Sequence, residues 1–185
     1  MSKIFISGGC KNGKSFYAQH LAKQQQNGSN LYYVATMAAV DNEDNDRIIR
    51  HQADRDGWGF TTIEQWRDIE SILDTCDHDG SFLLDSLTAL LANEMFLPDG
   101  NICENAADKI STGLTRILNS VKHIVIVSDY IYSDALIYDP LTELYRKSLA
   151  SLDRLAAQLC DVVLEVVNTQ VVMHKGERDA FEKIR

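Results

Sequence analysis

Residues Gly8-Gly9-Cys10-Lys11-Asn12-Gly13-Lys14-Ser15 have the types and spacing to hold a chain of phosphates: a glycine, four free positions, then Gly-Lys-Ser. The backbone N–H groups of such a loop turn inward around an anion, and a helix starting at its end adds partial positive charge. Gly8 and Gly13 supply the permissive backbone angles. In this pattern Lys14 reaches the β and γ phosphates and Ser15 ligates Mg²⁺. The plain alternative is a glycine-rich turn with a chance lysine. The flanks argue against it, because Lys3–Ser7 (KIFIS) is a short β-favouring run and Ser15 onward (SFYAQHLAKQQQ) reads as a helix.

A second group of residues could supply a nucleophile. The charged run Asp41–Asp56 (DNEDNDRIIRHQADRD) reads as a helix carrying Arg47, Arg50, His51 and Arg55. Residues four apart share a helix face, so Arg47, His51 and Arg55 line up. Three basic groups on one face repel unless an anion sits among them, and a neutral imidazole is a good nucleophile near pH 7. A solvated surface helix is the competing reading. A third candidate is the carboxylate of Asp85, which ends the apolar run Ser81–Asp85 (SFLLD). Apolar residues followed by an acid make a Walker B-like element that holds Mg²⁺ or its waters.

These side chains need a scaffold that brings them to one edge. At 185 residues the chain is long enough for one buried core, and residues 1–185 read as a single nucleotide-binding domain. Further buried strands are expected at Leu31–Ala35 (LYYVA), at His123–Ser128 (HIVIVS) and at Asp161–Val167 (DVVLEVV). A short strand ends at Glu64, and Gln170–Met173 pairs with the preceding strand as a hairpin. Helices are expected over Trp66–Thr75, Ser86–Phe96, Asn105–Ser120 and Leu141–Leu159, and the tail from Lys175 as a frayed helix. Strands alternating with helices imply an α/β fold: a P-loop NTPase-like, mostly parallel sheet flanked by helices, with a C-terminal β-hairpin. Thr36 and Met37 follow the second strand at its carboxyl end, where open α/β sheets bind ligands.

Bulk properties narrow the class. A net charge of −9 argues against indiscriminate binding to nucleic acid or anionic membrane. No apolar run approaches membrane-spanning length, and MSKIFISGG reads as strand and loop rather than a signal peptide. Four widely spaced cysteines (Cys10, Cys76, Cys103, Cys160) form no CxxC, so reduced thiols in a cytoplasmic protein are the simple reading.

Taken together, the motifs resemble the bifunctional adenosylcobinamide kinase/adenosylcobinamide-phosphate guanylyltransferase family of cobalamin biosynthesis. GGCKNGKS resembles the family's GGxxSGKS, and LYYVAT at Leu31–Thr36 resembles its LYIAT strand. Asp41–Arg55 resembles its acidic helix ending in a guanylylated histidine. FTTIE at Phe60–Glu64 resembles WxTxE, and LLDSLTALLANEMF at Leu83–Phe96 resembles LLDCLTxxxxNLLF. The resemblance implies that His51 accepts GMP from GTP, with Lys14 catalytic beside it. It implies nucleotide contacts from Gly8 to Ser15, from Ala35, Thr36 and Met37, and from Gln52, Arg55, Glu64 and Asp85. Ser15 and Asp85 would hold Mg²⁺, with GTP or ATP as co-substrate and an adenosylcobinamide-type acceptor. A homo-oligomer, a trimer, is also implied.

The C-terminal third departs from the family pattern. Asp129 stands where the family has Asn, Tyr130 where it has Glu, and Tyr132 and Asp134 where it has glycines. On the next helix, Arg146-Lys147…Asp153 replaces Arg-Asp…Asn. Carboxylates at Asp129 and Asp153 are expected to repel phosphate unless Mg²⁺ intervenes. Two alternatives stay open: a single-activity P-loop kinase or nucleotidyltransferase on another small acceptor, and a non-transferring GTP-binding regulatory protein.

Overall fold

The structure, a computed structural model, describes residues 2–38 and 55–177. The strands are β1 (Ser2–Gly8), β2 (Leu31–Ala35), β3 (Thr61–Glu64), β4 (Ser81–Asp85), β5 (His123–Val127), β6 (Val162–Val167) and β7 (Gln170–Lys175). The α-helices are α1 (Lys14–Gln25), α2 (Ile72–Thr75), α3 (Leu87–Met95), α4 (Ala106–Ser120) and α5 (Pro140–Leu159). The strands form one seven-stranded sheet in the order β3-β2-β4-β5-β1-β6-β7. Every neighbouring pair is parallel except β6 and β7, which form an antiparallel hairpin at one edge. Asn168 and Thr169, both at positive φ (48° and 62°), make its two-residue turn. The expected helix over Asp41–Asp56, with Arg47, Arg50, His51 and Gln52, falls largely outside the described residues, as does most of the tail beyond Lys175.

Side chains alternate across the strands with period two. Ile4, Ile6, Tyr33, Leu83, Val125 and Leu164 face α1 and pack on its Ala18, Leu21 and Ala22. Phe5, Val34, Phe82, Leu84, Ile124 and Ile126 face the other way, under α3, α4 and α5. The α4 sequence buries Ala106, Ile110, Gly113, Leu114, Ile117 and Leu118, the three-and-four spacing of an amphipathic helix. Asp139 caps α5 by accepting from the N–H groups of Leu141 and Thr142, and Pro140 suits the first turn because it lacks the N–H that would go unpaired there.

One expected helix is mostly absent. Over Trp66–Thr75 the chain makes only a 3₁₀ turn at Ile69–Ser71 and the single-turn α2. Tertiary contacts outcompete local propensity here. The Asp68 N–H donates to Glu94 Oε1 at 2.7 Å, and Arg67 Nε donates to the Asn93 carbonyl at 2.7 Å. These bonds tie the segment to the end of α3 and hold Asp68 at φ 48°. Lys109 reaches in from α4 to pair with both Asp68 and Glu94 at 2.7 Å, so the buried Glu94 carboxylate keeps a counter-charge.

Gly80, in the turn before β4, is packed closely enough to report on this arrangement. An added Cβ would lie 2.7 Å from Tyr32 Cε2 and 2.9 Å from the Asp77 carbonyl oxygen. Tyr32 is itself fixed by accepting from the Asp77 N–H at 3.1 Å. Gly80→Ala should therefore lower stability by about 1–3 kcal/mol. An unchanged denaturation midpoint would show that this turn yields freely.

Candidate active site

The glycine loop leaves β1 at Gly8 and enters α1 at Lys14. Gly8 has φ 151°, and a Cβ there would collide with the Val166 carbonyl on β6 and with the Asn12 side chain. Gly13, at φ 92°, ends the loop in a left-handed turn that a side chain would strain. Asn12 closes the loop from within: its Nδ2 donates to the Val166 carbonyl, and its Oδ1 accepts from the Lys14 N–H at 3.3 Å. Cys10 and Lys11 are exposed, and a Cβ on Gly9 would meet nothing within 4 Å. The loop thus has an open face onto which a phosphate can settle.

Lys14 is only 6% exposed. Its Nζ donates to the Gly9 carbonyl and to Asp129 Oδ1, each at 2.7 Å. The lysine tip is held across the loop's mouth by two oxygens, a geometry that a phosphate oxygen can take over.

Strand register places the other candidates in a row along the carboxyl edge. Ala35 is paired with Glu64 on one side and with Asp85 on the other, and Asp85 is paired with Val127. Asp85 Oδ2 accepts a 2.8 Å bond from the Tyr33 hydroxyl and lies 3.5 Å from Ser15 Oγ. Arg55, 7% exposed, sets its guanidinium 3.5 Å above the Tyr33 ring, and its Nη1 has no partner among the described residues. Thus Arg55, Tyr33, Asp85 and Ser15 make one connected group beside the loop. Gln52 and His51 lie outside the described residues.

Thr36 is fully buried and its polar atoms are used internally. Its hydroxyl donates to the Ser86 carbonyl at 2.8 Å and accepts from the Ser86 N–H at 2.7 Å, while its carbonyl accepts from Asn93 Nδ2 at 2.6 Å. Met37 is half-buried beyond it. Glu64 is exposed and lines a cavity of about 830 Å³ together with Gln65, Trp66, Arg67, Asn93 and Phe96.

Among the described residues no three His, Cys, Asp or Glu side chains gather as a metal cage. Mg²⁺ does not need one, since it binds through one or two protein oxygens, waters and substrate phosphates. Ser15 Oγ and Asp85 Oδ2 are oxygen donors of that kind, next to the loop, so the residues fit the ion.

Of the residues that depart from the family pattern, Asp129 and Tyr130 meet the loop, the latter through its N–H to the Gly8 carbonyl. Asp129 faces Lys14. Asp153 is 3% exposed and accepts from the Tyr132 hydroxyl at 2.9 Å. Burial pushes the Asp153 carboxyl up to about 6, while Ser128 and Tyr132 beside it partly offset the rise. Even so, Ser128 Oγ and Asp153 Oδ1 close no hydrogen bond of good geometry. Burial also raises the Tyr132 hydroxyl, with the Asp153 charge adding to it. The expected repulsion of phosphate therefore needs correcting for Asp153, which is enclosed with Tyr132. Asp129 is paired with Lys14, and its charge is offset only while that pair holds.

Sequence reasoning missed Tyr33 and Thr88. Alternation along LYYVA puts Tyr33 on the α1 side of the sheet, a signal that was available. Thr88, whose Oγ1 accepts from the Asp129 N–H at 2.9 Å, gave none.

A parallel sheet with a glycine loop between β1 and α1, and an acid ending β4, defines a P-loop NTPase-like protein. The fold agrees with the flagellar accessory protein FlaH from Methanocaldococcus jannaschii: TM-score 0.51, 15% identity, covering 97% of this chain and 80% of that one. The KaiC-like protein PH0186 from Pyrococcus horikoshii OT3 has TM-score 0.51 and 11% identity, covering 95% of this chain and 80% of that one. The more particular match is to the cobinamide kinase / cobinamide phosphate guanyltransferase family, whose model aligns with residues 4–173, and the chain belongs to that family. No curated protein matches it significantly. Membership puts it among the transferases of phosphorus-containing groups in cobalamin biosynthesis, with a nucleotide as co-substrate. No helix among the described residues is long and apolar enough to cross a membrane.

Asp153 sets a pH dependence. Its folded pKa, about 6, lies above the ordinary 3.8 of the unfolded chain. The stabilising protonated form is fully present below about pH 4 and is lost as pH rises through about 6. Asp153→Asn removes this loss and can still accept from Tyr132. The stability of the variant relative to wild type should rise by about 3 kcal/mol between pH 4 and pH 8. A difference that stays flat with pH, measured by urea unfolding, would mean that Asp153 titrates normally.

Proposed function

We propose that the chain phosphorylates the aminopropanol hydroxyl of an adenosylcobinamide-type acceptor and then transfers GMP from GTP, through His51, onto the new phosphate. The observation that carries this reading is the family match over residues 4–173 together with Lys14 held at the mouth of the glycine loop, beside the Ser15–Asp85 pair. Lys14 would leave Asp129 for the β and γ phosphates. The loop N–H groups would hold the remaining oxygens. Mg²⁺, bound by Ser15 and Asp85, would neutralise charge developing on the phosphates.

In the second reaction His51 Nε2 or Nδ1 would attack the α-phosphorus, and pyrophosphate would leave with the electron pair. The P–N bond so formed is labile enough to pass GMP to the acceptor phosphate, which regenerates the imidazole and gives adenosylcobinamide-GDP. Arg55 is suited to offset charge spread over the transferring group, because its Nη1 has no partner among the described residues. Glu64, Ala35 and Asp85 share one register level, which supports a nucleotide lying across the edge. Residues 1–185 act in this reading as one domain of a cytoplasmic homo-oligomer, a trimer by family likeness.

Incubation with α-labelled GTP and Mg²⁺ tests the transfer. Wild type should acquire acid-labile, base-stable label, His51→Ala should acquire none, and adenosylcobinamide phosphate should remove the label from wild type. A wild type that binds GTP but never becomes labelled would leave a nucleotide-binding protein without transfer.

Lys14→Ala should lower turnover with either triphosphate by about 10²-fold or more. Unchanged turnover would remove the loop from the reaction.

A further inference from the structure

Asp129 occupies a position that is fixed on every side. The Ser128 N–H donates to the Ile6 carbonyl and the Tyr130 N–H to the Gly8 carbonyl, each at 3.0 Å. These bonds extend β5 alongside the last residues of β1, at the root of the glycine loop. The Asp129 N–H is taken by Thr88 Oγ1 on α3. From this clamp the carboxylate reaches Lys14 Nζ at 2.7 Å, with its side chain 22% exposed.

A triphosphate that took Asp129's place on Lys14 would bring phosphate oxygens close to this carboxylate, because the carboxylate lies 2.7 Å from Lys14 Nζ. Two bare anions at that separation repel. A hydroxyl placed between them removes the conflict, because its hydrogen bonds to the carboxylate while its oxygen faces phosphorus.

We propose that in this chain Asp129, which stands where the family pattern has Asn, is the proton acceptor for the hydroxyl that attacks the γ-phosphorus, a departure from the family's site and an inference that rests on the kinase half of the reading above. The acceptor O–H donates to the carboxylate, and its oxygen forms a bond to phosphorus. The bond from the γ-phosphorus to the bridging oxygen breaks, and its electron pair leaves with the nucleoside diphosphate. The proton passes to Asp129 and from there to water. Three other acids fit this role less well. Asp85 is engaged by Tyr33 and Ser15. Glu64 ends β3, which β2 and β4 separate from β5. Asp153 is enclosed behind Tyr132. The charged and titratable groups that face Asp129 are Lys14 from α1 and, from α5, Asp153 and Tyr145; the Asp129 charge helps raise the pKa of both of these, Tyr145 to about 12. From α3 comes only the neutral Thr88.

The test uses full-length protein, ATP or GTP, Mg²⁺ and adenosylcobinamide. Asp129→Asn should lower kcat for phosphoryl transfer by about 10²–10⁴-fold. It should also abolish the acid limb of the pH–rate profile and bind a non-hydrolysable triphosphate analogue at least as tightly as wild type, because Lys14 loses a charged competitor. Retained binding also shows that the variant is folded. Asp129→Glu, which keeps the carboxylate, should keep the acid limb at a reduced rate. If wild type does not phosphorylate adenosylcobinamide, the kinase reading fails on its own. Asp129 is then judged on phosphate release to water, which should fall by a similar factor and lose the same limb. Asp129→Asn with kcat within threefold of wild type, or with weakened analogue binding and an intact acid limb, overturns the proposal and leaves Asp129 as a holder of Lys14.

Discussion

A nearly buried ammonium must have an anion, and in this protein the whole site is arranged around that need. Lys14 is 6% exposed, and removing a charge from water without a partner costs several kcal/mol. Its partners are Asp129 and the Gly9 carbonyl. A triphosphate bound as proposed would therefore not meet a free lysine but would replace a contact already made. The lysine's own share of such binding would be only the gain of phosphate over carboxylate. The exchange requires both partners to stay still, and adjacent strands ensure it: Lys14 follows β1, Asp129 follows β5, and backbone hydrogen bonds join β1 and β5 up to Gly8.

Tyr33 has a comparable role on the other side of the loop. Its ring carries the Arg55 guanidinium and its hydroxyl holds Asp85. One aromatic side chain thereby couples a cation from the segment leading to β3 with an acid at the end of β4. The Asp85 carboxylate is thereby oriented toward Ser15. Arg55 follows His51 by four positions in the sequence. Its anchoring on Tyr33 fixes the distal end of the stretch that carries the proposed nucleophile.

The elements that local pattern decides were legible in the sequence. Buried strands such as Leu31–Ala35 and Ser81–Asp85 have their expected bounds, because a run of apolar β-favouring residues between turn signals has few other fates. The glycine loop was legible for the same reason, with Gly8 and Gly13 where side chains would collide or strain. Trp66–Asp68 was not, because Glu94 and Asn93, distant in sequence, pull it out of helix. In the site, Asp85 and Lys14 could be named from motif spacing. The facing of Asp129 to Lys14 depends on β5 lying between β4 and β1, an ordering that no local pattern encodes.

The substitutions on the acceptor side look at first like damage to a phosphate site, since they add carboxylates. The structure assigns each added charge a distinct environment. Asp153 is enclosed with Tyr132 and holds its proton up to about pH 6. Asp134 pairs with Arg146, which also engages Glu143 and lies over the Tyr138 ring. Arg146 is thus bound within its own loop and helix and offers little to an incoming anion. Asp129 is left as the added acid that is paired with the loop lysine and partly open. In the proposed phosphoryl transfer a triphosphate would take Lys14, and the Asp129 charge would be freed where a hydroxyl gives up its proton.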